Sequence, residues 1–264
     1  MSTLALTMTD SATMLRRNLK RAIRYPSLTF SVLLMPIMML LLFNYAFGNT
    51  LGTGITAMGG IGDVEYIDYV APGIILMTAT SGAVATAISV CLDMTQGIVK
   101  RFRTMSVSRA AILAGHVVGS VIQTMIGLVL VVGVALAIGF RPNANALEWL
   151  AAFGLLGFVT LALTWISAAM GLVAKTPESA SNTPLPLTFM PFLGSAIVPA
   201  DSMPSAMRWF TEYQPFTPMI ETLRGLLLGT EIGNSGLISV AWCLALTVAG
   251  YVWARVAFAR VTRQ

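Results

Sequence analysis

The sequence predicts an all-α membrane protein: six transmembrane helices, an N-terminal amphipathic interfacial helix, and two short extracellular, re-entrant helices between spans five and six. Three observations carry this expectation. Of 264 residues, 56% are hydrophobic and only 10% are charged, and the mean hydropathy is +0.79. Soluble domains carry about 25% charged residues. Six apolar runs, each near the ~20 residues that cross a bilayer, leave connectors too short to fold alone. One membrane domain over 1–264 is expected.

The first element is a helix over 10–24. Ala12, Leu15, Leu19, Ala22 and Ile23 recur at helical spacing, while Arg16, Arg17, Lys20, Arg21 and Arg24 occupy the other faces. Thr9 or Asp10 can cap its start and Tyr25-Pro26 ends it, giving a helix parallel to the membrane. A solvated basic tail that only enforces orientation is the plainer alternative. The run that follows, 28–46, has a passable cleavage site at Ala46-Phe47-Gly48. The 27 residues before it exceed the n-region of a signal peptide, so an uncleaved span with a kink at Pro36 is expected.

Further runs cover 69–92, 116–139, 149–174, 180–200 and 236–257. The fifth differs from the rest, because Pro184, Pro186 and Pro191 interrupt it and Pro199 ends it. Each proline removes a backbone donor, and such breaks persist at membrane depth only beside protein or a water-filled cavity. The segment reads as a pathway-lining or gating element, or as a kinked packing helix.

An even number of spans puts both termini on one side, and the cations say which. Thirteen of the sixteen Lys and Arg residues fall on the face carrying the termini, against Arg141, Arg208 and Arg224 on the other. That face carries net +10 and the opposite face −5, which together give the +5 of the chain. The termini are therefore expected in the cytoplasm. The sequence pI near 9.6 reflects topology and contact with anionic lipid, not a nucleic-acid surface. Cys91 and Cys243 fall in opposite leaflets, so no disulfide is expected.

The connectors hold the remaining signals. In the cytoplasmic segment 93–115, Ile98, Val99, Phe102 and Met105 form an apolar stripe among cations, and Ser106 or Ser108 can cap a short helix over 109–114. Such a segment can dock on a soluble partner or lie on anionic lipid. Outside, 201–235 is too apolar for a solvated loop; helices starting near Pro204 and Pro218 are expected. The second is too short to span the bilayer, so it lies at the outer surface or re-enters from it. Glu221 and Arg224, three apart on it, can pair, either to stabilise the helix or to serve a gate.

Catalytic patterns are missing. There is no P-loop, His116 is the sole histidine, and no Gly-x-Ser-x-Gly elbow occurs. No catalytic residue, bound cofactor or metal is expected. Spans nearly free of ionisable groups argue against an ion-driven secondary carrier, where intramembrane carboxylates carry the coupling. That carrier and a membrane assembly protein that transports nothing remain the alternatives, and a transporter of this composition must draw its energy from another subunit.

The ordered motifs resemble the membrane subunit of type-2 ABC exporters, of the daunorubicin/doxorubicin-resistance permease type. They are Arg17-Asn18-Leu19 through Arg24-Tyr25-Pro26, Met35-Pro36 to Phe47-Gly48, Tyr69 to Pro72-Gly73, Met203-Pro204, Gln214-Pro215-Phe216-Thr217 and Leu223-Arg224-Gly225. In the cytoplasmic loop, Asp93, Gly97, Arg101-Phe102-Arg103, Val107-Ser108-Arg109 and Gly115 fit the family's coupling segment. Ser106, Gln96 and His116 depart from it, standing where proline, arginine and a basic residue are usual.

The resemblance implies a permease of a prokaryotic plasma (inner) membrane that pairs with a second permease subunit, identical or different. Two copies of an ATP-binding subunit would carry ATP and Mg and drive export of drug-like or lipid molecules. It implies that Asp93, Gly97, Arg101, Phe102, Arg103, Ser108 and Arg109 couple to the ATPase. It also implies that Pro184, Pro186, Pro191, Pro215, Glu221 and Arg224 line the path or its external gate.

Overall fold

The computed structural model describes residues 26–48, 50, 53, 65–95 and 109–261. Every regular element among them is helical. Helix α1 (Pro26–Leu41) contains Pro36 and passes into a π turn over Leu42–Ala46. There follow α2 (Tyr66–Thr95), α3 (Arg109–Ala137), α4 (Ala146–Val173), α5 (Pro177–Asn182), α6 (Leu185–Phe189), α7 (Ser205–Tyr213), α8 (Phe216–Leu228) and α9 (Ser235–Val261). Among the described residues four helices, α2, α3, α4 and α9, are long and apolar enough to cross a membrane, and the apolar stretch at Leu33–Ala46 is shorter.

Local chemistry sets the boundaries. Asn145 Oδ1 accepts from the amides of Leu147 and Glu148 at 2.9 and 3.0 Å, while Glu148 Oε2 accepts from the Asn145 amide at 2.7 Å. This reciprocal cap starts α4. Thr176 caps α5, whose first residue, Pro177, fits where no amide partner is needed. Helix α8 stops at Gly229, which adopts φ +74°, a left-handed conformation that L side chains resist.

One boundary differs from the sequence expectation, and one expected break is present. The short helix expected over 109–114 and the span expected from 116 are one continuous helix, α3. Gly115 does not separate them, because one glycine inside a helix costs only about 1 kcal/mol. The run 180–200 is not a single helix. It breaks into α5, α6, a 3₁₀ turn over Met190–Leu193 and irregular chain to Pro199. Pro184 precedes α6, Pro186 lies in its first turn and Pro191 in the first turn of the 3₁₀ segment. Each proline begins a new turn, since it cannot donate to the previous one.

Helix α2 is the centre of the bundle, packing on α1, α3, α4, α5 and α8, while α9 lies at the edge against α4 and α8. The apolar window of α2 is 72% buried and that of α9 only 22%. Apolar lipid offers no hydrophobic drive between helices, so close packing has to hold them. A Cβ at Gly171 would overlap the Ala87 carbonyl, which shows how near α4 comes to α2. Hydroxyls within α2 are satisfied locally: Thr78, Thr80 and Thr86 donate to the carbonyls of Ile74, Met77 and Gly82.

The bundle has two ends. Tyr66, Phe140, Ser195, Phe216 and Leu227 gather at one, where the larger core cluster also holds Ile74, Leu128 and Leu223. At the other, by Thr95, a second cluster joins Val90, Leu113, Val117, Leu172 and Phe258.

Candidate functional site

At the Tyr66 end the irregular chain after Leu193 exposes carbonyls that no helix ladder satisfies. Buried carbonyls need partners, and here side chains supply them. Thr211 of α7 donates to the Leu193 carbonyl at 2.7 Å. The Tyr69 hydroxyl and Arg224 Nη2 both donate to the Ser195 carbonyl, at 3.1 and 2.8 Å. The Tyr66 hydroxyl reaches the Ile197 carbonyl at 3.4 Å. The accepting carbonyls of Leu193, Ser195 and Ile197 follow one another through the 3₁₀ end, turn and bend of this segment.

Arg224 is the hub. Its side chain is buried, and Nε and Nη2 also donate to the Tyr69 carbonyl at 3.3 and 3.2 Å. Its Nη1 meets Glu221 Oε1 at 2.8 Å, and its guanidinium carbon lies 3.8 Å from the Tyr69 ring centroid. Arg224 is thus more than one member of a surface pair with Glu221, whose side chain is 37% exposed. A planar guanidinium with five donors can serve two carbonyls and a carboxylate while stacking on a ring.

The same region is tightly packed. A Cβ at Gly73 would sit 2.7 Å from the Cα of Ala196, so α2 and the broken segment touch backbone to backbone. Gln214 is buried beside Gly194 and donates to Thr217 at 3.3 Å. Pro215 sits directly before α8. The Asn143 amide donates to the Leu227 carbonyl at 2.9 Å, and Thr222 bonds Ser239 at 2.9 Å, tying α8 to its neighbours. On α7, by contrast, Arg208 pairs with Asp201 and Glu212 at 2.6 and 2.7 Å in the open.

At the Thr95 end, Asp93 of α2 and His116 of α3 are both buried, with His116 Nε2 3.0 Å from Asp93 Oδ2. The Cys91 thiol lies 3.5 Å from the Ala174 carbonyl. Arg109 opens α3. Gly97, Arg101, Phe102, Arg103 and Ser108 lie outside the described residues, as do Arg16, Arg17, Lys20, Arg21 and Arg24. Among the described residues no three His, Cys, Asp or Glu side chains gather as a metal site.

Two features therefore stand at opposite ends of the bundle, a broken segment held by side chains and a buried pair joining α2 to α3. Residues 10–228 match the family model described as ABC-2 type transporter. The chain belongs to that family. ABC-2 proteins are transporter permeases that work with ATP hydrolysis on a separate subunit. This permease is 28% identical over 226 residues to the daunorubicin resistance ABC transporter permease protein DrrB1 of Streptomyces coeruleorubidus, covering 82% of this chain and 77% of the relative. It is 22% identical over 219 residues to the probable doxorubicin resistance ABC transporter permease protein DrrC of Mycobacterium tuberculosis, covering 82% and 76%. The inner membrane transport permease YadH of Escherichia coli is 26% identical over 210 residues, covering 78% and 79%.

Within this permease, Arg224 and Glu221 stand out in the sequence and Tyr69 only as a motif residue, whereas Tyr66, Thr211 and the pairing of His116 do not. Two tyrosines three apart at the head of an apolar run were a usable signal, since tyrosine in such a place carries a hydroxyl that needs a partner. The identity of that partner was out of reach: Ser195 and Ile197 lie 126 and 131 residues away.

Proposed function

We propose that this chain is the six-span membrane subunit of an ATP-driven exporter. It moves amphipathic or hydrophobic molecules, drug-like or lipid, out across the plasma (inner) membrane of a prokaryote, with both termini in the cytoplasm. The Thr95 end is then cytoplasmic and the Tyr66 end external. Spans one and five, 28–46 and 180–200, complete the six, and 201–235 forms the external, re-entrant helices.

The single observation that carries the transport role is the broken segment 183–199. Irregular backbone at membrane depth persists only beside protein or a water-filled cavity, and here it is tied by side chains to α2, α7 and α8, a break that suits a pathway-lining element. Pro184, Pro186 and Pro191 make it, and Pro215, Glu221 and Arg224 position its outer end. The segment 93–115, with Asp93, Gly97, Arg101, Phe102, Arg103, Ser108 and Arg109, docks on the ATP-binding subunit. The helix 10–24 lies on anionic lipid through its five cations.

The working assembly contains a second permease subunit and two ATP-binding subunits, which hold ATP and Mg. Drug-resistance permeases among the relatives support a drug-like cargo. The test is an ATPase and uptake assay on the complex in inside-out vesicles, run with daunorubicin, doxorubicin and fluorescent phospholipid. Stimulated hydrolysis with ATP-dependent accumulation of one of them supports the reading. No stimulation by any of them, and no accumulation, rejects it.

A further inference from the structure

We propose that Asp93 and His116 form a clamp that locks the two roots of the coupling segment together, so that a push from the ATPase moves α2 and α3 as one body. The coupling half of this rests on the exporter reading above; the clamp itself rests on geometry.

Asp93 closes the last turn of α2 and His116 lies two turns into α3, one on each side of the connection between those helices. Their side chains meet at 3.0 Å, with His116 at 8% and Asp93 at 2% exposure. The surroundings are the apolar cluster of Val90, Leu113, Val117, Leu172 and Phe258. Apolar contacts are non-directional and let helices slide. A polar contact in such low-dielectric surroundings is strong and fixes position. Removing one partner takes a buried polar contact from the other, a costly loss in such surroundings. The exposed pairs of Arg208 with Asp201 and Glu212 lack that leverage.

A lever fixed at one root would bend its own helix when pushed. One fixed at both roots through this pair transmits the displacement to α2, the helix that contacts most of the bundle and carries Tyr66 and Tyr69 at its far end. Asp93 and His116 are thus positioning residues for coupling.

The test uses the full permease with its ATP-binding subunit in vesicles, in the variants H116A, H116K, D93N and D93H/H116D. Daunorubicin accumulated per ATP hydrolysed should fall at least tenfold in H116A and D93N. H116K and the charge swap should recover half or more. In parallel, nitroxide labels at the exposed positions Thr95 and Val118, with Cys91 and Cys243 replaced by alanine, report the spacing of the two roots. The distance distribution should be narrow in the otherwise native protein, at least twofold broader with H116A, and narrow again with H116K.

An unchanged distribution in H116A overturns the clamp whatever the transport result. A broadened distribution with an unchanged ratio of transport to hydrolysis overturns its coupling role. If the native complex hydrolyses ATP without moving daunorubicin, stimulation of hydrolysis by the permease replaces the ratio as the readout. If no ATP-binding subunit associates at all, the exporter reading falls and takes the coupling role with it, while the label distances still decide the clamp.

Discussion

The Arg224 guanidinium carbon lies 3.8 Å from the centre of the Tyr69 ring, and Arg224 and Tyr69 both donate to the carbonyl of Ser195. One cation therefore fixes α8, the head of α2 and the broken segment. Its replacement should be costly. Arg224→Ala leaves the Ser195 and Tyr69 carbonyls short of a charged donor, a loss of about 3 kcal/mol. For a protein of this size that lowers Tm by roughly 6–12 °C. Heating with a thiol-reactive dye reads it, since Cys91 and Cys243 are buried and free. Arg224→Lys, with a point charge in place of a planar fork, should fall between.

Arg208 supplies the contrast. It makes two ion pairs as short as any on Arg224, yet on an exposed face. Water and salt screen such pairs. Arg208→Ala should leave Tm unchanged within error in the same assay.

Tyr69 can be divided into ring and hydroxyl. Tyr69→Phe removes only the bond to Ser195 and should cost about 1 kcal/mol. Tyr69→Ala also removes the stacked ring and should cost at least about 1 kcal/mol more. Equal melting temperatures for the two variants would show that the stacking contributes nothing.

The bundle and its long helices were legible in the sequence because apolar length alone announces them. Boundaries were less legible: the short helix expected over 109–114 and the span expected from 116 are parts of the continuous α3. The prolines of 180–200 foretold an irregular segment, and that segment is irregular. What holds it was not legible. Its acceptors are backbone carbonyls, which every residue carries alike, and its donors come from α2, α7 and α8, remote in sequence. Asp93 was singled out by motif, but its partner His116 was visible only once α2 and α3 were placed side by side.

Gly73 tests the contact between α2 and the broken segment. A methyl group there meets Ala196 at 2.7 Å, so Gly73→Ala must push the two backbones apart and should depress both Tm and daunorubicin export. Gly133 has open space around its Cα. Gly133→Ala should be neutral or stabilising by about 0.5–1 kcal/mol through helix propensity. The pair separates a steric effect from a general intolerance of alanine.

Charge reversal in the coupling segment probes the docking role. Arg101→Glu combined with Arg103→Glu should preserve folding and raise ATP consumed per daunorubicin exported by at least about tenfold, the equivalent of about 1.4 kcal/mol of lost coupling. Vesicles in which the double variant exports with native stoichiometry would rule these arginines out.

The bonds at the broken segment all end on main-chain oxygens of Leu193, Ser195 and Ile197. Main-chain oxygens survive any substitution, so mutational tolerance should be lopsided. In a saturation library selected for drug resistance, the accepting positions with room around them, exposed Leu193 and half-buried Ile197, should admit many residues. The donating positions, Tyr66, Tyr69, Thr211 and Arg224, should admit few. A bundle built this way can vary the side chains of its broken segment without loosening the bonds that hold that segment in place.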